Sequence, residues 1–129
     1  MSEKIRFNSF RDFPVWKKSL EVSNKIFKLT EELPKVEDYG LTSQMRRSAN
    51  SISANIAEAF GREHLKEKQN FYKYSRGSAY ELQSHLLYEE KVNYFSKYSV
   101  KIYDKEIESI IISLNKIIKT LKNMNSKRI

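Results

Sequence analysis

Apolar residues recur every three or four positions along four long stretches of the chain. This spacing places them on one face of an α-helix, which turns once in about 3.6 residues. The first helix is predicted to begin near Asp12 and Pro14 and to end at Leu33, because Pro34 disfavours helical geometry in the residue before it. Beside its main stripe lie three further apolar residues, Trp16, Leu20 and Phe27.

The second helix is predicted from Leu41 to Phe60, with Gly61 as its C-terminal cap, and the third from Leu65 to Val92. Gly77 lies inside the third helix, where glycine costs about 1 kcal/mol relative to alanine, so we expect another backbone close by. Small residues on both helices predict a tight contact between them. The expected stripe of the third helix is Phe71, Tyr74, Ser78, Leu82, Leu86 and Glu89.

An isoleucine-rich stripe marks the fourth helix after a tyrosine-rich connection, "NYFSKYSVKIY". The stripe residues are Ile107, Ile110, Ile111, Leu114, Ile117, Ile118 and Leu121. Long amphipathic helices joined by short loops predict an all-α fold, an antiparallel up-and-down four-helix bundle. We expect a single domain over residues 1–129, with an N-terminal arm at 1–11 and a basic C-terminal tail at 125–129.

Charge is distributed unevenly along this basic chain. Its 24 lysine and arginine residues exceed its 16 acidic ones, which gives a formal net charge of +8. Such a charge favours polyanionic partners, because binding releases their counterions. No acidic residue follows Glu108, so Lys116, Lys119 and Lys122 are predicted to form a basic strip that contacts successive phosphates.

A line of polar residues lies beside the apolar stripe of the second helix. We expect a structural polar stripe formed by Ser48, Ser51, Asn55 and Glu58, together with Glu81 of the third helix. A buried polar group without a partner costs roughly 1–3 kcal/mol, so we expect Asn55 and Glu58 to have partners within the contact between the second and third helices. Arg46 and Arg47 have two interpretations: they pair with this stripe, or they are free to bind phosphate oxygens.

Catalytic and metal-binding patterns are not apparent in the sequence. His64 and His85 lack the companion ligands of a metal site, and no serine elbow or glycine-rich phosphate loop occurs. We therefore predict a protein that is not an enzyme and that uses neither a metal nor another cofactor. Since the chain has no cysteine and no apolar run near the ~18 residues of a membrane span, we expect a cytoplasmic protein without membrane contact.

Three segments in this order carry a family resemblance: "FRDFPVWKKSLEVSNKIFKLTEELP", "YGLTSQMRRSANSISANIAEAFGR" and "RGSAYELQSHL". They resemble the 23S rRNA intervening-sequence proteins, also called the four-helix bundle protein family, over almost the whole chain. The resemblance implies a bacterial homopentamer related to the accessory protein of diversity-generating retroelements, which binds nucleic acid and a reverse transcriptase. Ala59 departs from the family pattern, which has glycine there.

Two functional hypotheses follow from the charge and the resemblance. The first is a non-enzymatic, oligomeric nucleic-acid-binding protein that binds structured RNA rather than DNA, through basic surface residues and by shape more than by sequence. The alternative is an oligomeric protein adaptor for a larger enzyme such as a reverse transcriptase. Salt-dependent RNA binding by the purified protein separates the two hypotheses.

Overall fold

Four long helices make up most of residues 7–127, the part of the chain that the computed structural model describes. They are α1 (Pro14–Thr30), α2 (Leu41–Phe60), α3 (Leu65–Lys91) and α4 (Lys97–Lys127). Short 3-10 turns precede the first two helices at Phe10–Asp12 and Lys35–Glu37. Each helix packs on the next along the chain, and α1 also contacts α4. The predicted all-α four-helix bundle is confirmed.

One stripe from each helix forms the core of the bundle. Its largest fully buried apolar side chains are Val22, Ile26, Met45, Ile52, Ile56, Leu82, Leu86, Ile107, Ile110, Ile111 and Leu114. Complete burial of an aliphatic side chain contributes roughly 1.5–3 kcal/mol, so this core is the main source of stability. The predicted isoleucine stripe of α4 supplies its largest share, because four consecutive stripe positions are buried there.

The interface between α2 and α3 is narrow, as the small residues predict. Ser48 of α2 and Ala79 of α3 are fully buried. The Ser75 hydroxyl of α3 donates a hydrogen bond of 2.8 Å to the backbone carbonyl oxygen of Ile52 in α2. A side chain this short reaches the backbone of another helix only at close approach, so the small residues of α2 serve packing rather than helix propensity.

The first half of α3 buries a different line from the predicted one. Tyr72, Ser75 and Ala79 face the core, whereas Tyr74 is exposed. The expectation for Gly77 was also wrong, because a Cβ atom built there would meet no atom within 4 Å. Gly77 lies two positions from Ser75 and Ala79, which places it on the opposite side of the helix from the α2 contact.

Two helix boundaries differ from the predictions. α1 ends at Thr30 rather than Leu33, where the last turn tightens and the amide of Leu33 bonds the Thr30 carbonyl oxygen. α4 begins at Lys97, so most of the predicted tyrosine-rich connection is helical. The Ser96 hydroxyl accepts a 3.0 Å hydrogen bond from the Ser99 amide and caps this helix start.

The predicted terminal segments are only partly described. Residues 125–127, which we expected in a basic tail, continue α4, and residues 10 and 11 of the predicted arm form a 3-10 turn together with Asp12. Residues 1–6 of the arm and 128–129 of the tail lie outside the described residues.

Candidate functional site

The three lysines of the predicted basic strip are all exposed on the C-terminal half of α4. Each three-residue step moves a side chain about 60° around the helix, so Lys116, Lys119 and Lys122 cover about 120° of its circumference. Over residues 7–127 no ion pair involves any of the three. Their ammonium groups therefore point into solvent as a broad basic surface rather than as a single row.

An apolar groove lies beside this basic surface, between the start of α1 and the end of α4. Ile117, Leu121 and Met124 form its α4 wall, Phe13 lines the α1 side, and Lys116 lies at its edge. Its volume is about 890 Å³. Cationic and apolar surfaces are thus continuous at this end of the bundle.

Lys68 also lines this groove, but its ammonium group is used inside the protein. It donates to the backbone carbonyl oxygens of Ala59 at 3.2 Å and Phe60 at 3.1 Å. These are carbonyls of the last turn of α2, which lack intrahelical partners. Burial lowers the pKa of Lys68. We assign Lys68 to capping α2.

Arg46 is held against the end of α1. Its Nε atom donates to the Thr30 hydroxyl at 2.8 Å, and an Nη atom donates to the Phe27 carbonyl oxygen at 3.2 Å. The guanidinium also lies over the Phe27 ring, 3.8 Å from its centroid. Because the last carbonyls of a helix lack intrahelical partners, this arginine caps α1 and ties it to α2.

Arg47 pairs with Glu81 across the α2–α3 interface. The two side chains remain 59% and 36% exposed. Glu81 also faces His85, whose Nε2 atom lies 3.3 Å from the same carboxylate oxygen. Both arginines thus have partners within the protein. Only Arg47 pairs with the polar stripe, through Glu81, as the first of the two interpretations requires, and its pair stays accessible to solvent. Arg46 pairs with α1 instead.

The bonds of the polar stripe lie mainly inside α2. Ser48 is buried and half-buried Asn55 donates from its amide to the Ser51 carbonyl oxygen at 2.8 Å. Glu58 is exposed and pairs with Arg62 at 2.8 Å. We expected Asn55 and Glu58 to have hydrogen-bond or ion-pair partners at the contact between α2 and α3. The structure instead satisfies each locally, because a helix places residues four apart on one face.

A second groove, between α1 and α2, was not identified from the sequence. Leu20 and Phe27 form its apolar wall and are 46% and 49% exposed. Asn24, Asn50 and Arg46 line the rest of a space of about 720 Å³. The sequence feature that could have indicated it is the line of apolar residues beside the main stripe of α1, because these residues make the apolar face of α1 wider than the core requires.

Glu89 is a fully buried carboxyl group near the C-terminal end of α3. Neither of its oxygens has a hydrogen-bond partner among the described residues. Burial, with a smaller contribution from the negative charge of Glu37, raises its pKa to about 7. Glu37 itself accepts a 2.8 Å hydrogen bond from the Tyr94 hydroxyl. The sequence placed Glu89 on the α3 stripe but did not indicate its isolation.

Metal-ligand clusters and membrane-spanning helices are two features that distinguish classes of function. Within residues 7–127, His, Cys, Asp and Glu side chains form no group of three that could hold a metal ion. No helix in the same part of the chain combines the length and apolarity needed to cross a membrane.

Comparison with known proteins places this fold in a family. A crystal structure from Bacteroides thetaiotaomicron, described as a protein with unknown function from the S23 ribosomal protein family, has a TM-score of 0.76 and 26% sequence identity to the chain. The match covers 81% of this chain and 98% of that one. No curated protein matches the chain. The model of the family described as 23S rRNA-intervening sequence protein matches residues 11–116. The chain therefore belongs to the 23S rRNA-intervening sequence protein family.

Proposed function

We propose that this protein binds structured RNA without catalysing a reaction, and that the lysines of α4 make the main contacts. The observation that carries the proposal is the exposure of Lys116, Lys119 and Lys122 on a helix segment that has no acidic residue after Glu108. The family description, which refers to an intervening sequence of 23S rRNA, supports RNA as the polyanion.

The geometry of the strip favours recognition by shape. The three lysines extend over about 9 Å along α4 and about 120° around it, so their charges meet a surface rather than a single line of atoms. Lysine contacts phosphate as a flexible point charge, and phosphate contacts carry no sequence information. We therefore expect preference for a folded RNA shape with little preference for base sequence.

We also propose that the protein acts as a homo-oligomer, with five copies as the expected number. Exposed apolar side chains outside the core, such as Leu87 and Ile112, support a further buried face. A symmetric assembly repeats the basic strip. Linked copies raise the effective concentration and increase avidity by roughly 10²–10⁴ where several strips contact one RNA.

The proposed function is tested by replacing the three lysines with glutamine and measuring RNA affinity at several salt concentrations. We expect weaker binding and a shallower salt dependence, with a slope reduced by about 2–3, because each lost phosphate contact removes nearly one unit. Helicity and subunit number are expected to remain those of wild type, since all three side chains are exposed.

A matched control exists on the same helix. Lys97, Lys101 and Lys105 are also exposed, and their replacement by glutamine changes the net charge equally. We expect this control to retain most of the affinity, because Asp104, Glu106 and Glu108 lie in the same half of α4. Equal losses in the two triple variants would contradict a specific strip and indicate a net-charge effect.

An adaptor function is the second candidate, supported by the apolar groove beside Lys116. Ile117, Leu121 and Met124 offer the kind of surface that accepts an amphipathic helix of a partner protein, including a larger enzyme such as a reverse transcriptase. The two functions differ in their dependence on RNA. If the wild-type protein binds no structured RNA at low salt, the adaptor function takes first place.

A further inference from the structure

The groove between α1 and α2 combines a flat apolar wall with polar groups. Leu20 and Phe27 line it and are almost half exposed, although the core of the bundle is complete without them. Asn24 and Asn50 line the groove from α1 and α2. Ser23 belongs to the same lining, and its hydroxyl is buried and has no hydrogen-bond partner in the described part of the chain.

Arg46 adds a fixed planar cation to this groove. Its guanidinium is held by the Thr30 hydroxyl and the Phe27 carbonyl oxygen, at 2.8 and 3.2 Å, and stacks on the Phe27 ring. These two hydrogen bonds fix the plane of the group before any ligand arrives. Aromatic rings and guanidinium planes are the protein surfaces on which unpaired bases stack in RNA complexes.

The polar groups of the groove match the edge of a base. An asparagine amide offers both donors and an acceptor, and a serine hydroxyl offers one of each, which suits the mixed edges of nucleobases. A lipid chain would leave these groups without partners. A phosphate group would meet the carboxylate of Glu21, which also lines the groove, whereas that carboxylate accepts a hydrogen bond from a base amino group.

We propose that the α1–α2 groove holds one unpaired nucleobase of the bound RNA. This inference rests on the proposed RNA-binding function and names its substrate class: RNA that presents a bulged or looped-out nucleotide, rather than a continuous duplex. Arg46, backed by the ring of Phe27, then stacks on the base, and Asn24 and Asn50 bind its edge. Arg46 contributes by stacking instead of by the phosphate contact that the sequence suggested.

The experiment uses two hairpin RNAs of equal length and charge. One carries a single bulged 2-aminopurine and the other carries the same base paired within the stem. We expect wild-type protein to bind the bulged RNA about tenfold more tightly, with a change in 2-aminopurine fluorescence, since base stacking on a protein platform contributes on that scale. The paired RNA is expected to bind through the α4 lysines without the fluorescence change.

Two conservative variants localise the effect to the groove. Phe27→Leu keeps an apolar side chain but removes the aromatic face, and Asn50→Ala removes a polar edge from an exposed position. Both are expected to lose the preference for the bulge while retaining affinity for the paired RNA. Tyr88→Leu is the matched control, because Tyr88 is a similarly exposed aromatic residue on α3, and it is expected to keep the preference.

The outcomes separate this inference from the proposed function. Equal binding of both RNAs by wild type and all variants would overturn the nucleobase site while leaving RNA binding intact. Failure of wild type to bind either RNA would overturn both proposals. A change of oligomer mass in Phe27→Leu without loss of the bulge preference would assign the groove to contact between copies and overturn the site.

Discussion

The Ser75 hydroxyl of α3 donates a hydrogen bond to the Ile52 carbonyl oxygen in the middle of α2. A carbonyl in this position already accepts an intrahelical amide, so the hydroxyl uses its second lone pair. The small side chains of fully buried Ser48 and Ala79 allow the two helices to approach closely enough for this bond. The serine-rich and alanine-rich composition of α2 is therefore a packing requirement.

Replacing Ser75 tests this close approach. Ser75→Ala removes one buried hydrogen bond and is expected to lower the free energy of unfolding by about 1 kcal/mol. Ser75→Leu inserts side-chain volume into a full interface and is expected to cost about 1–3 kcal/mol. Urea unfolding measures both changes, and Ser84→Ala, at an exposed α3 position, serves as control. Wild-type stability in Ser75→Leu would show that the helices are not in close contact here.

The two neighbouring arginines are expected to differ in their effect on stability. Arg46→Gln removes the donor to Thr30 and the stack on Phe27, and we expect a loss of about 1–2 kcal/mol. Arg47→Gln breaks a largely exposed ion pair with Glu81, which contributes less than about 1 kcal/mol. Chemical denaturation of the two variants gives the comparison. Equal losses would contradict the assignment of Arg46 as the helix cap.

The partners of these arginines could not be derived from the sequence. Thr30 and Phe27 lie more than a dozen residues before Arg46 along the chain, and only the packing of α1 on α2 brings them together. The exposure of Lys116 was predictable, since it lies off the isoleucine stripe in an acid-free segment. The sequence pattern thus identifies which side chains face away from the core. Tertiary packing decides which of those side chains remain available to a ligand.

The sequence also predicted some of the helix boundaries and missed others. α2 was predicted with both of its ends, because Gly61 follows a clear amphipathic pattern. The start of α4 was missed because tyrosine and serine are weak helix formers and suggested a connection. Val100 and Ile107 nevertheless continue the buried stripe at helical spacing, and Ser96 supplies the cap. In this segment the N-terminal cap and the continued apolar stripe outweigh the low helix propensity of tyrosine and serine.

The buried Glu89 carboxyl group predicts a dependence of stability on pH. Its pKa is about 7 in the folded protein, against 4.5 for an unperturbed glutamate, which is the value we take for the unfolded chain. Between these values the native state holds a proton that the unfolded state lacks, so stability falls as pH rises through this window and levels off above it. Above this window the folded protein must bury the Glu89 carboxylate with its negative charge, near the negative charge of Glu37.

Glu89→Gln is expected to remove this dependence. Above pH 7 the variant should be more stable than wild type by on the order of 2–3 kcal/mol, because an amide is buried without a charge. Near pH 4 the two proteins should be similarly stable, since the wild-type carboxyl group is then largely protonated in both states. Thermal unfolding across this pH range makes the measurement, with exposed Glu63→Gln as control. Parallel profiles for wild type and Glu89→Gln would show that Glu89 is not buried.

The outer face of α3 and α4 is the surface that we expect to join copies of the protein. Hydrogen bonds from Arg76 to Asn115 at 2.9 Å and from Gln83 to Glu108 at 3.0 Å cross this face. Leu87 lies one turn beyond Gln83, and Ile112 lies between Glu108 and Asn115. Both are about half exposed. Apolar side chains set among polar pairs are typical of an interface between subunits.

Light scattering on the wild-type protein at micromolar concentration is expected to give about five times the subunit mass of 15.3 kDa. Combining Leu87→Glu with Ile112→Glu should yield a folded monomer, because each copy then places unpaired carboxylates inside the interface at a cost that association does not recover. Val36→Glu, at a strongly exposed position between α1 and α2, controls for added negative charge and should leave the mass unchanged. A wild-type monomer whose mass does not depend on loading would remove the pentamer and, with it, the avidity expected from repeated lysine strips.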